Sequence, residues 1–488
     1  MVLDRLAPVP PVGPGRAPTA LQSRTLELRR GTVPQAGALP DRGRGRGPLG
    51  TSRDAASARV FRSLRGDIVA AVRPGGSRLV ELEIAEQYGV SRHAVRVAIR
   101  RLVTERLVDD DSASRWTVSS FTRSDASDLA EVQTLLDRVA ARQAARRRSP
   151  HDLAAFARQT AAAARAIHRD DFLDLIRIGG RFRAEVYGAT GNGALLQLHD
   201  RLHSRSLRLL AFADEAEVDP LRALHDFEAA FAARDADAAE GAAIRFNDEL
   251  RAARRSWALR RLDEASGGFG REAGAPLDGT AAPGPVAALT NDLRSDILSG
   301  VRRPGAPLPT RVLAREHALG RAEVREALLQ LAAEGLVALG PETAAARVRT
   351  IPDGELAEFL ELAVLLDLLA VRLASARPKA AGLAGLEARL AVEERLAGLG
   401  AGHPSTREAW FAVRDQLLVL SGNRVLLDVG RLLEPRLRVL AARSPEALAT
   451  FGAHRLVFEA VASRDFELLR RRHPAGASPR FDHQLAFL

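Results

Sequence analysis

At 488 residues the chain exceeds what one hydrophobic core usually organises, and its 46% hydrophobic content is enough for several. The absence of cysteine excludes disulfides, thiolate zinc sites and cysteine nucleophiles, and agrees with a reducing, cytoplasmic setting. A net charge of +10 suits a polyanion such as DNA, but arginine supplies nearly all of it, Lys379 being the sole lysine, so charge agrees with DNA binding without arguing for it.

Residues 1–56 are rich in Pro, Gly and Arg, including the run from Arg42 to Gly47, and predict a disordered tail. The first residues lack the apolar core of a signal peptide, and no apolar run along the chain reaches membrane-spanning length, so no membrane association is expected. Val60, Leu64, Ile68 and Val72 then make one face of a first helix, which Pro74-Gly75 ends. Leu82, Ala85 and Tyr88 mark a second helix, and Gly89 supplies a tight turn. Ser91 is placed to cap a third helix, on which Val95, Ile99 and Leu102 face inward while Arg92, Arg96 and Arg100 recur on the other side with His93 beside them. Val108 and Trp116-Thr117-Val118 predict the two strands of a small wing. About 130 residues of helix-period sequence follow, and the stretch from Leu262 to Pro285 reads as a linker.

The whole arrangement then recurs. Val95-Arg96 matches Val324-Arg325, Pro74-Gly75 matches Pro304-Gly305, Gly191-Asn192 matches Gly422-Asn423 and His225 matches His454, all at a spacing of 229 to 231 residues. So long a period means duplicated domains rather than a solenoid. An arginine-faced helix alone is ordinarily a solvated surface. The order helix, Pro-Gly stop, helix, glycine turn, capped arginine helix, wing favours a helix laid in a major groove, where Arg can reach guanine edges and neutralise phosphates.

The segments LVELEIAEQYGVSRHAVRVAIRRLVTERLV and LPTRVLAREHALGRAEVREALLQLAAEGLV resemble the DNA-binding head of the GntR family. The resemblance implies DNA contacts from Arg92, His93 and Arg96 in copy one and from Arg311, Arg321 and Arg325 in copy two. Copy one departs from the pattern at Leu82 and His93, and copy two at Gly320 and Ala322. Asp109-Asp110-Asp111 in the first wing would repel phosphate if turned toward DNA. The helical regions resemble the effector (FCD-type) domain of the FadR subfamily through Leu-Ala-Glu-Val at 129–132 with Asp137, Leu-Ala-Glu-Phe at 356–359 with Asp367, and the Gly-Asn turns.

In relatives of that subfamily an Asp and a His four apart, with two later histidines, hold a divalent metal. Here Gly179 and Trp410 stand at the aspartate position and Arg183 and Arg414 at the first histidine. His225 and His454 keep the middle histidine, Asn247 takes the last place in copy one, and Pro474 and Pro479 interrupt copy two before Asp482 and His483. No metal or other cofactor is therefore expected. Arg183 and Arg414 either bind a small organic acid directly, with His225, Asn247 and His454 nearby, or pair internally with a sequence neighbour such as Glu185 or Asp415. His199 and His203 have metal-ligand spacing but read as surface histidines.

The expected fold is mainly α: two winged helix-turn-helix domains, each followed by an all-helical effector-binding bundle. The divisions fall at 1–56 (tail), 57–121 (head one), 122–258 (effector domain one), 259–285 (linker), 286–351 (head two) and 352–488 (effector domain two). The expected function is that of a sequence-specific regulator that binds double-stranded DNA as an internal pseudo-dimer, with or without further oligomerisation. The alternative is a helical ligand- or protein-interaction module that has lost DNA binding. No nucleophile-base set, phosphate loop or cofactor fingerprint suggests an enzyme.

Overall fold

The computed structural model describes residues 52–69, 72–110, 116–120, 123–169, 171–211, 219–264, 284–340, 346–378, 380–444 and 454–472. The expected tail up to residue 51, Asp111, and the stretch holding Pro474, Pro479, Asp482 and His483 lie outside them.

Head one consists of α1 (Ser52–Val69), β1 (Arg78–Leu79), α2 (Glu81–Tyr88), α3 (Arg92–Thr104), β2 (Val108–Asp110) and β3 (Trp116–Val118), with β3 between two antiparallel neighbours. Val60, Leu64 and Ile68 meet Val95, Ile99 and Leu102 in its core. Local chemistry sets the turns: Gly89 adopts φ 61°, which favours glycine, and the Ser91 hydroxyl accepts from Ala94 N at 3.3 Å.

Several expectations are corrected. Helix α1 starts inside the stretch assigned to the tail and ends at Val69, so Val72 lies beyond it and is exposed. Leu82 is exposed as well, because Ile84 and Ala85 face the core and a residue two positions from Ile84 points about 200° away round the helix. Strand β1, two residues long, is too short to show an alternating pattern.

Head two repeats the plan with α10 (Pro285–Ser299), α11 (Thr310–Glu316), α12 (Arg321–Ala333), β4 (Val337–Ala338) and β5 (Arg347–Val348), around Leu289, Leu293, Val324, Leu328 and Leu331. Pro307 stands where β1 would run and makes a single bridge to Arg347, proline having no N–H to donate to a ladder.

Between and after the heads the described residues form two sets of six α-helices. The first is α4 (Arg123–Arg147), α5 (Pro150–His168), α6 (Phe172–Ala189), α7 (Gly193–Ala211), α8 (Pro220–Ala233) and α9 (Ala236–Glu264). The second is α13 (Asp353–Ala376), α14 (Ala380–Leu396), α15 (Pro404–Leu420), α16 (Arg424–Arg443), α17 (His454–Ala462) and α18 (Glu467–Arg472). Helix α9 carries past residue 259, where the linker was expected to begin. The two sets share one apolar core running from Leu129 to Leu469.

Their contacts come in matched pairs about a pseudo-two-fold. Helix α4 packs on α16 and α13 on α7, while α1 rests on α7 and α10 on α16. Asp128 accepts from the backbone N–H of Arg424 at 2.8 Å and Glu358 from that of Gly193 at 2.9 Å, so each set caps a helix of the other. Arg205 lies 3.8 Å from Asp428, and Arg436 donates to Gln197 at 2.8 Å. Asp128 and Glu358 play matching parts 230 residues apart, and the buried positions Leu129, Val132 and Leu136 recur at Phe359, Leu362 and Leu366. The Leu-Ala-Glu blocks at 129–132 and 356–359 are thus out of step by three residues and are not equivalent.

Candidate nucleic-acid interface and helical-domain site

The third helix of each head buries one side and leaves its cations in solvent. On α3, Arg92, His93, Arg96 and Arg100 are exposed, opposite Val95, Ile99 and Leu102. On α12, Arg321 and Arg325 are exposed, and Arg311 on α11 joins them. Gly320 at the start of α12 has no hydroxyl to accept from the first turn as Ser91 does, and the end is fixed from the other side, Glu323 accepting from Gly320 N at 2.7 Å.

The two arginine sets differ in their surroundings. Arg96 donates from Nε at 3.1 Å and from Nη2 at 2.9 Å to the two carboxylate oxygens of Glu81, at the start of α2, and Arg92 lies 3.8 Å from the same group. Arg100 pairs at 2.6 Å with Glu326 on α12, which links the two third helices directly. Arg311, Arg321 and Arg325 make no ion pair among the described residues. Sequence reading missed Glu81; the available signal was an acid fifteen positions before Arg96, for which copy two has Thr310 before Arg325. In the first wing Asp109 and Asp110 are exposed, with Asp109 accepting from Ser119 Oγ at 2.7 Å.

Within the helical domains, Arg183 and Arg414 each hold a buried aspartate rather than the sequence neighbours Glu185 and Asp415. Arg183 Nη2 lies 3.1 Å from Asp137 and Arg414 Nε lies 2.9 Å from Asp367. Glu185 instead accepts from Gln159, and Asp415 binds Arg431. The partners sit 46 and 47 residues away, on the first helix of each set, which no local pattern reveals.

Around that shared pair the copies diverge. In copy one Asp137 also accepts from Tyr187 Oη at 2.9 Å, Gln133 Nε2 at 2.7 Å and Asn247 Nδ2 at 3.1 Å. His199 is buried against Tyr187, with ring centroids 4.4 Å apart, and His203 follows at 5.2 Å from His199. These are not surface histidines: burial first, then the cations Arg183 and Arg65, hold the His203 imidazole down to about 3, and His199 is lowered in the same way, so both are neutral at pH 7. His225 is exposed on α8 and has no contact with this cluster among those described.

Copy two has Ala363, Leu418 and Gly430 at the positions of Gln133, Tyr187 and His199. A Cβ at Gly430 would stand 2.5 Å from Leu418 Cδ1, so leucine fills the space that the histidine takes in copy one. Arg414 is only 2% exposed, Asp367 Oδ1 and Arg414 Nη2 have no hydrogen-bond partner, and burial raises the Asp367 carboxyl against the pull of Arg414. His454 turns to Glu393, 2.7 Å from its Nδ1. This donor set does not fit a divalent ion: a guanidinium occupies each aspartate, and among the described residues no group of three His, Asp or Glu side chains is arranged to hold a metal ion. No helix among the described residues is long and apolar enough to cross a membrane.

Comparison with known proteins agrees with the order of elements. The model of bacterial regulatory proteins of the gntR family matches residues 56–118 and 285–344, and the FCD domain model matches 128–248. The curated "Uncharacterized HTH-type transcriptional regulator YdhC" of Bacillus subtilis (strain 168) is 23% identical over 129 residues, covering 26% of this chain and 58% of that protein. The match thus spans little more than half of that relative's length. Among solved structures, E. coli McbR/YncC aligns at 20% identity and a TM-score of 0.37, over 42% of this chain and 98% of its own. A transcriptional regulator GntR from Rhodococcus sp. RHA1 aligns at 22% identity and a TM-score of 0.36, over the same shares of the two chains. With two gntR-type heads and an FCD domain in one polypeptide, the chain belongs to the GntR family of regulators.

Proposed function

We propose that the protein is a sequence-specific transcription regulator that binds double-stranded DNA as a covalent pseudo-dimer, each half supplying one winged head. The observation that carries this reading is the outward display of Arg92, His93 and Arg96 on one third helix and Arg321 and Arg325 on the other, with Arg311 alongside. The paired contacts between helical sets support a single chain doing what two subunits of a homodimer do. A gel shift of the full chain against randomised duplex tests the reading: binding should be lost when Arg92, Arg96, Arg321 and Arg325 are changed together to alanine, and unchanged binding would refute it. Light scattering should find a monomer; an obligate dimer of full chains would remove the pseudo-dimer and leave DNA binding standing.

Control by a small organic acid is best supported in copy one. There a ligand carboxylate would compete with Asp137 for Arg183, among neutral imidazoles and a phenol that can adjust their hydrogen bonds. Copy two, packed with Leu418 against Gly430, reads as the scaffold half. Thermal shifts with a panel of organic acids should disappear in Arg183→Ala, and persistence there would exclude the site. The exposed Asp109 and Asp110 favour a second reading, a helical interaction module without DNA binding, which the gel shift separates.

A further inference from the structure

We propose that the two heads divide the work of DNA recognition: head one reads a guanine through Arg96, oriented by Glu81, and head two anchors the complex through unpaired charge. The proposal rests on the DNA-binding reading above.

A guanidinium has two edges that can each make a pair of parallel hydrogen bonds. One is Nε with Nη2, the other Nη1 with Nη2. Glu81 takes the first, at 3.1 and 2.9 Å, and leaves the second unused at the tip of a side chain that is 46% exposed. That free edge matches guanine O6 and N7 in a major groove. Glu81 lies at the start of α2, with only 15% of its side chain exposed, so its own position is fixed by the head. Holding an arginine by one edge removes the rotamer freedom it would lose on meeting a base and fixes the plane in which it approaches. The same carboxylate lies 3.8 Å from Arg92, so head one carries less net positive charge toward DNA than its arginines suggest.

Head two is built the other way. Thr310 stands fifteen positions before Arg325 where Glu81 precedes Arg96, and it brings no charge. Arg311, Arg321 and Arg325 are exposed without an acidic partner among the described residues, free to follow phosphates whatever the sequence. Glu81 is thus a positioning residue for specificity, and the three arginines of head two are an electrostatic anchor.

The test uses the full chain and a duplex selected from a randomised pool, with unselected duplex and duplexes carrying 7-deazaguanine, which lacks N7, at each guanine in turn. Glu81→Gln should cut discrimination between selected and unselected duplex about tenfold or more while raising affinity for unselected duplex, because a base contact is loosened and a negative charge removed. A merely structural role for Glu81 would lower both affinities together. Arg96→Lys, which keeps charge and loses the fork, should cost the same discrimination and abolish the penalty of 7-deazaguanine at one position. Changing Arg311, Arg321 and Arg325 to alanine should weaken both duplexes alike and reduce the slope of log affinity against log salt by about 0.9 for each phosphate no longer neutralised. Discrimination retained in both Glu81→Gln and Arg96→Lys, or erased selectively by the head-two substitutions, would overturn the division. Failure of the wild type to bind any duplex would overturn the proposed function and this inference with it.

Discussion

Replacing Asp128 by asparagine isolates one contact across the pseudo-two-fold. Burial between the helical sets, with Glu131 and Asp125 nearby adding repulsion, raises the Asp128 carboxyl to about 6 against the hydrogen bond from Arg424 N. A carboxyl that holds its proton more tightly when folded than when unfolded stabilises the fold most below its unfolded value of 3.8, and that contribution fades as pH rises through about 6. A difference of about two units corresponds to ~3 kcal/mol, and solvent screening of a partly hydrated group reduces this to about 1–2 kcal/mol. Asparagine keeps an oxygen that can accept from Arg424 N and carries no charge to desolvate. Asp128→Asn should therefore be more stable than wild type at pH 8 by that amount, and the advantage should shrink as pH falls through about 6 and fade out below 3.8. Denaturant titrations of both proteins at several pH values read the difference, since titrating groups remote from Asp128 cancel and only its neighbours Glu131 and Asp125 respond to the lost charge. An offset that stays constant from pH 4 to 8 would refute the buried-carboxylate account, and one that grows in acid would reverse its sign.

The other predictions concern the two buried pairs and the contact between heads. Arg414→Ala strands Asp367 with no other hydrogen bond and should cost about 3–5 kcal/mol in denaturant titration. Arg183→Ala should cost clearly less, since Asp137 keeps Tyr187, Gln133 and Asn247 as donors; equal losses would contradict the difference drawn between the copies. Gly430→Ala pushes a methyl group into Leu418 and should cost about 1–3 kcal/mol, seen by calorimetry as a lower Tm, whereas an unchanged Tm would mean that the leucine gives way freely. Arg100→Ala should alter stability by less than about 1 kcal/mol yet widen the distance distribution between spin labels on cysteines introduced at His93 and Ala322, and an unchanged distribution would show that the Glu326 pair does not set head spacing.

What could be read from the chain follows the range of the forces involved. The Ser91 cap, the turn at Gly89 and the inward stripe Val95, Ile99, Leu102 are local, and sequence periodicity reveals them. The long repeat spacing exposes the duplication because each copy carries the same turn chemistry at Asn192 and Asn423, whose side chains accept from Leu195 N and Leu426 N at 2.8 Å. Partners across helices stay hidden. Proximity in sequence suggests Glu185 for Arg183, whereas packing places Asp137 against it, and nothing local to His199 marks the neighbouring α6 that covers it. The start of α1 at Ser52 has no signature either, because residues 52–57 carry no apolar stripe.

Two halves that meet through Asp128, Glu358, Gln197 and Arg436 within one polypeptide never have to find each other by diffusion. If the chain binds its operator as the proposed pseudo-dimer, occupancy should follow the first power of cellular protein level, without the steep threshold that subunit assembly imposes on separate protomers. In the proposed pseudo-dimer each half is also inherited with a fixed companion, so a change in one head would not be averaged over mixed pairs of halves, and the halves could drift apart in sequence as far as the asymmetry of a single operator permits.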